Sequence, residues 1–298
     1  MSKKLLCLVF IFLVSGCERE NLNEKPISYW VDSGDTCVSG TAKAIVDSGL
    51  PYPHFTYEAR VNKKTGKEEQ RVKTVDVWLL NERFAFPREY VSSHGGYAKT
   101  HPYKYHRLHG SLPNFYPKGP SAGLKDGMAS MVDVKFDCSM AKHYTDGWDR
   151  QLRTNAEGVA WAKSYLQEKA DRHNNFEGST TQATVTVSVR KDLKMIEVLL
   201  DKGFPDDHNP KSWSAIYWPL EAEMRSFNGR LGPIGCKIRH DPVERRYGGR
   251  GWRCGSGIRI NPYASASIDI YVPHIEAMPE VYRQVKQLII DSKQPAGV

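Results

Sequence analysis

Lys3 and Lys4 are followed by ten apolar residues, Leu5 to Val14, and then by Ser15, Gly16 and Cys17. A positive start, a short apolar run and small residues after it form a secretory leader. Ten residues are too few to cross a bilayer, which takes about 20. No later stretch approaches 18 uninterrupted apolar residues, so no second span is expected. A leader of this kind commits the rest of the chain to fold in an oxidising compartment. That constrains the fold more than any other feature, because it turns cysteines into cross-links.

The run Val14-Ser15-Gly16-Cys17 resembles a bacterial lipobox. The resemblance implies cleavage before Cys17 and acylation of that residue. Glu18 follows where inner-membrane retention signals commonly carry Asp, which places the expected anchor in the periplasmic leaflet of the outer membrane. Glu18 to Lys25 is polar and reads as a flexible tether. Two or more acyl chains hold a protein on a membrane, whereas one binds only marginally. The net charge of +8 falls to +6 once Lys3 and Lys4 leave with the leader.

Of six cysteines, Cys7 lies in the leader and Cys17 carries lipid. Cys37, Cys138, Cys236 and Cys254 are left, and read as two disulfides with three possible pairings. Cys37–Cys138 with Cys236–Cys254 is favoured, with one bridge in each half. A four-thiolate zinc site is the competing reading, but no CxxC spacing supports it.

The fold class expected is α+β. Arg71–Leu80 alternates as a strand, with Val75, Val77 and Leu79 on one face. A turn into a short extended piece is expected over 82–90, a long irregular loop over 94–127 and a strand over 131–136. Asn155 is read as the N-cap of a helix to about Arg172, with Val159, Ala162, Leu166 and Ala170 as its apolar stripe. Ala183–Val189 and Met195–Leu200 form a hairpin across Lys191-Asp192-Leu193. Short strands are expected at 214–218, 235–239 and 265–272, and a last helix starts near Pro279. The pattern suggests two β-rich subdomains, each ending in strand then helix, and an internal duplication would explain it. The boundaries expected are 1–16 leader, 17–30 tether, 31–175 and 176–298, with the link at Asn174–Thr181.

Candidate chemistry is sparse. Gly119-Pro120-Ser121-Ala122-Gly123 matches GxSxG, but no apolar strand precedes it, and Pro117 and Pro120 surround it. His94, His101, His106 and His109 cluster without a nearby carboxylate or thiol to complete a metal shell. Asp206-Asp207-His208 and Asp146 with Asp149 read as ordinary turn residues. No HExxH, P-loop or Rossmann glycine pattern occurs. No catalytic residue, no metal and no cofactor is expected. Arg239 to Arg259 stands out, with six arginines interleaved with glycines, Tyr247 and Trp252. Arginine forks bind carboxylates and phosphates, and Arg, Trp and Tyr are enriched at interface hot spots. A Cys236–Cys254 bridge would close most of this segment into a loop. Arg245, Arg246, Arg250, Trp252 and Arg253 are therefore the partner-binding candidates. The leader removes the chain from the cytoplasm, which argues against nucleic acid as the target.

Val75-Asp76-Val77-Trp78-Leu79 followed by Phe86-Pro87-Arg88-Glu89-Tyr90 carries a further resemblance. Gly235-Cys236-Lys237-Ile238, then Ile268-Asp269-Ile270-Tyr271-Val272-Pro273 and the closing helix, carry it too. With the lipobox, these resemble the periplasmic immunity lipoproteins that accompany type VI secretion lipase effectors. The resemblance implies a membrane-anchored inhibitor that binds a phospholipase toxin and occludes its active site. It transfers no contact residue. A structural or assembly lipoprotein of the envelope, without a toxin partner, is the alternative reading.

Overall fold

The structure is a computed structural model that describes residues 25–91, 101–103, 106–112, 115–117, 131–138, 154–179, 181–201, 211–220, 224–240 and 252–295. The leader and Cys17 lie outside them. The described chain opens with a 3-10 turn, Ile27–Asp32, packed on helix α1, Thr36–Asp47. The Asp35 carboxylate caps α1 by accepting from the Cys37 and Val38 amides at 2.8 and 3.2 Å. Cys37, Val38, Thr41, Ala42 and Ile45 are buried at helical spacing.

Strands β1 (Phe55–Val61), β2 (Glu68–Leu79) and β3 (Glu82–Pro87) make an antiparallel three-stranded sheet. Its inner half is core: Val75, Val77, Leu79, Phe84 and Phe86 are buried. Its outer half is different. Beyond a register shift between Thr56 and Tyr57, the paired stretches 57–61 and 68–71 are exposed on both faces.

The remaining strands form one antiparallel sheet of nine. They are β4 (Arg107–Ser111), β5 (Tyr116–Pro117), β6 (Met131–Cys138), β7 (Thr184–Arg190), β8 (Met195–Asp201), β9 (Lys211–Pro219), β10 (Ile234–His240), β11 (Trp252–Arg259) and β12 (Ala264–Tyr271). The spatial order is β5-β4-β6-β12-β11-β10-β9-β8-β7. β6 thus lies beside β12, with Val134 opposite Ile268 and Phe136 opposite Ala266. Strands from before and after Asn174–Thr181 share this sheet.

The two faces are covered differently. On one, Val134, Phe136, Cys254, Ile258, Ile268 and Ile270 meet helix α3 (Met278–Ser292) and the inner half of β2 and β3. Val281, Val285 and Ile289 are the buried stripe of α3, and Pro279 sits in its first turn. On the other face, helix α2 (Asn155–Asn174) covers β7–β9 through Ala162, Leu166 and Ala170 against Val198, Leu200, Ile216 and Trp218. Gly158 lets the helix touch Trp218; an added Cβ there would lie 2.6 Å from the indole.

The structure has an α+β fold, as the sequence indicates, and corrects several details. The α2 cap is Thr154, not Asn155: its hydroxyl accepts from the Glu157 amide at 3.2 Å, and the Glu157 carboxylate receives the Thr154 amide at 3.3 Å. β4 lies inside the segment expected to be loop. Trp252–Arg259 is strand β11, not part of an arginine loop. Both disulfides join the favoured partners, Cys37 with Cys138 and Cys236 with Cys254.

Candidate functional site

Alternation in a strand sends every second residue to the opposite face. Opposite the buried Cys254, Ser256 and Ile258 therefore stand Arg253, Gly255, Gly257 and Arg259. The register aligns them with neighbours in rows across the sheet. One row runs Gly235, Gly255, Asp269, Asp133, His109 from β10 to β4. The next runs Gly257, Ser267, Lys135, Arg107, and a third Arg259, Ser265, Asp137. Among the described residues α2 stops short of these rows.

The glycines leave bare backbone at the middle of this face. A Cβ added to Gly235 or Gly257 meets nothing within 4 Å, whereas one on Gly255 would come within 2.9 Å of Asp269 Oδ1. Beside them lies a stripe of linked charge. Lys135 Nζ sits 3.2 Å from Asp269 Oδ2 and 3.7 Å from Asp133 Oδ2, and His109 Nε2 lies 3.3 Å from Asp133 Oδ1. Burial pushes the Asp133 carboxyl up, but His109, Lys135 and Arg107 outweigh it and hold the group below its usual range. Asp137, at the far end, has the opposite balance. Partial burial raises it and Asp269 adds to the effect, while Lys135 and Arg107 oppose.

The loop from Ser226 to Pro233 rises along this face and encloses a groove of about 260 Å³, floored by Gly255, Gly257, Ser265 and Ser267 and walled by Asp137 and Arg259. Small-molecule pockets run from roughly 300 to 1,000 Å³, so this space suits one large side chain better than a lipid or a cofactor. Ser226 holds the loop to the strand: its Oγ accepts from the Arg259 amide at 3.0 Å and lies 3.2 Å from the Tyr282 hydroxyl.

The hairpin β10–β11 flanks the groove. Cys236 and Cys254 are direct register partners, so their bridge ties the two strands together. Arg245, Arg246 and Arg250 lie outside the described residues. Trp252 opens β11 opposite Ile238, and Arg253 is half-buried on the groove face of the sheet. Ser121, Asp146, Asp149, Asp206, Asp207, His208 and His94 also lie outside the described residues. His101 and His106 sit apart from His109, in an aromatic cluster with Trp30 and Tyr103. Among the described residues no group of three or more His, Cys, Asp or Glu side chains is arranged to hold a metal ion.

No protein-family model matches the chain, and no curated protein matches it. One solved structure is similar to it. That protein is described as an immunity protein of the Stenotrophomonas maltophilia type IV secretion system. The two share 14% identity over 80% of this chain and 99% of the other, with a TM-score of 0.41. At that distance the likeness establishes neither the fold nor the function.

Sequence reasoning picked out Arg253 and Trp252 and missed the groove. The signal that would have found it is the alternation Arg253, Gly255, Gly257, Arg259 against Cys254, Ser256, Ile258. Glycine at the outward positions hides that alternation from any hydrophobicity pattern.

Proposed function

We propose that this chain is a membrane-tethered periplasmic immunity protein, which captures a secreted toxin and blocks it without transforming a substrate. The observation that carries the reading is the face of the large sheet around β11, β12 and β6, which no described helix covers. It is a surface of bare backbone and paired charge, with a groove for one side chain, beside a disulfide-tied hairpin. Interfaces concentrate their energy in a few anchors set on such preorganised surfaces. The basic segment with Arg245, Arg246 and Arg250 connects the two strands of that hairpin, and Trp252 and Arg253 begin its second strand, so capture would combine charge steering with the groove. A phospholipase is the toxin class favoured, because a lipid-anchored inhibitor on Cys17 is concentrated at the membrane such a toxin attacks.

The test is affinity purification of the full chain from producing cells, followed by expression of the recovered partner with and without it. Toxicity relieved by the wild-type chain is expected. It should return when Arg245, Arg246, Arg250 and Arg253 are all changed to Glu. A partner that is harmless alone, with an envelope defect in cells lacking this chain, would favour an assembly role and overturn the reading.

A further inference from the structure

The outer halves of β1 and β2 form an arm. An isolated two-stranded ribbon is marginal in water. Here β2 runs on into the core at Val75, Val77 and Leu79, and so holds the ribbon out from the body. Every residue from Tyr57 to Arg71 is exposed except Asn62. That one organises the tip. Its amide donates to the Lys67 carbonyl at 2.8 Å, and its carbonyl accepts from Gly66 at 2.8 Å. Its side chain accepts from the Lys64 amide at 2.9 Å and donates to Glu69 at 2.8 Å. Gly66 supplies the positive φ, +69°, that closes the turn. The tip is therefore ordered before it meets anything.

Charge is segregated along the arm. On the shaft, Glu58 stands opposite Arg71 and Arg60 opposite Glu69, so these charges offset one another. The tip, Asn62 to Lys67, carries Lys63, Lys64 and Lys67 and no acid. On the other face of the shaft Tyr57, Ala59 and Val61 of β1 stand opposite Val72, Gln70 and Glu68 of β2, so its apolar side chains come mainly from β1. Tyr57 and Val61 are each 59% exposed.

The arm also has a direction. The β2 base meets α1, where the Leu80 amide donates to Thr41 Oγ1 at 3.1 Å, and the 3-10 turn at Ile27–Asp32 packs on the same helix. Twelve residues of β2 separate base from tip, about 40 Å at ~3.3 Å per residue. A tether from Cys17 to Lys25 reaches at most about 28 Å when fully extended. An anchor at Cys17 would therefore hold the base near the membrane and leave the tip free to point away from it.

We infer that the β1–β2 arm inserts into an acidic cleft of a folded protein, with its lysine tip on the cleft floor and Tyr57 and Val61 of β1 against apolar groups of the cleft wall. This inference rests on the toxin-capture reading and names the chemistry of the partner's site.

The test uses the full chain and the toxin recovered with it, compared by stopped-flow association at low and high salt. Changing Lys63, Lys64 and Lys67 together to Glu should slow association at low salt at least about tenfold, within the range that electrostatic steering spans. Changing all three to Arg should preserve the rate, and Lys163→Glu on α2 should leave it unchanged. An unaltered urea midpoint for each variant shows that folding is intact. A triple-Glu variant that associates like wild type overturns the arm and leaves toxin capture standing. Recovery of no toxin overturns both. Triple-Glu-sensitive binding to phosphatidylglycerol–phosphatidylethanolamine vesicles, with toxin association unaltered, assigns the tip to lipid and overturns the inference.

Discussion

Cys236 and Cys254 face one another across β10 and β11 with their Cα atoms 4.1 Å apart. The bridge spans 18 residues of sequence, whereas Cys37–Cys138 spans 101. Loop-closure entropy grows with the enclosed length, from about 3 kcal/mol for a short loop to about 4.7 for one of a hundred residues. The paired change Cys37→Ser with Cys138→Ser should therefore cost more stability than Cys236→Ser with Cys254→Ser. Urea unfolding of the two double variants measures the order directly.

Gly158→Ala should destabilise the protein although alanine favours helix by about 1 kcal/mol. The new methyl would sit 2.6 Å from the Trp218 ring, which is 1% exposed and has no room to move. Overpacking of this kind costs about 1–3 kcal/mol. A lowered urea midpoint is expected, and a raised one would show that α2 can lift away from β9.

His106 makes stability depend on pH. Burial pushes its imidazole down to about 4, with the charges of Arg107 and His101 adding and Asp133 opposing. Its Nδ1–H donates to the Tyr103 carbonyl, a bond that the neutral ring keeps in one tautomer. Between its ordinary value of 6.5 and about 4, the unfolded chain binds a proton that the folded chain refuses. The stabilisation is full above 6.5 and is lost as pH falls towards 4. His106→Gln should flatten the difference between unfolding free energies measured at pH 7 and pH 4.5.

Gly257→Trp separates folding from binding. The space above Gly257 is open, so stability should change by no more than about 0.5 kcal/mol. The indole would fill the groove, and capture of the toxin should weaken at least about tenfold if a partner side chain docks there. Calorimetric titration against the recovered toxin, with a urea midpoint for each protein, reads both quantities.

Elements with strong periodicity were legible in the sequence. Ala162, Leu166 and Ala170 announce α2, and the valines of β7 with the turn at Lys191–Leu193 announce its hairpin with β8. Other elements were not. α1 buries a stripe of mostly small side chains with Gly40 between them, so little hydrophobic contrast marks it. β1 is exposed along most of its length, and alternation has nothing to alternate between. β4 places Arg107 and His109 on the open face and Gly110 on the core side. The groove draws on three strands and a loop, and the row from Gly235 to His109 crosses five strands. Such non-local rows exist only once register is fixed, and no local window of sequence contains them.

The position of β12 between β6 and β11 has a consequence for biogenesis. β12 pairs with both neighbours, yet it follows both of them in the chain. Synthesis from the N-terminus delivers β4, β5 and β6 early and keeps the flank of β6 waiting until residue 264 arrives. Pairings across such separations form slowly and leave strand edges open to wrong partners. Completion of the sheet should therefore be gated by the arrival of β12, and on the export route proposed above escort by a holdase would protect the interval.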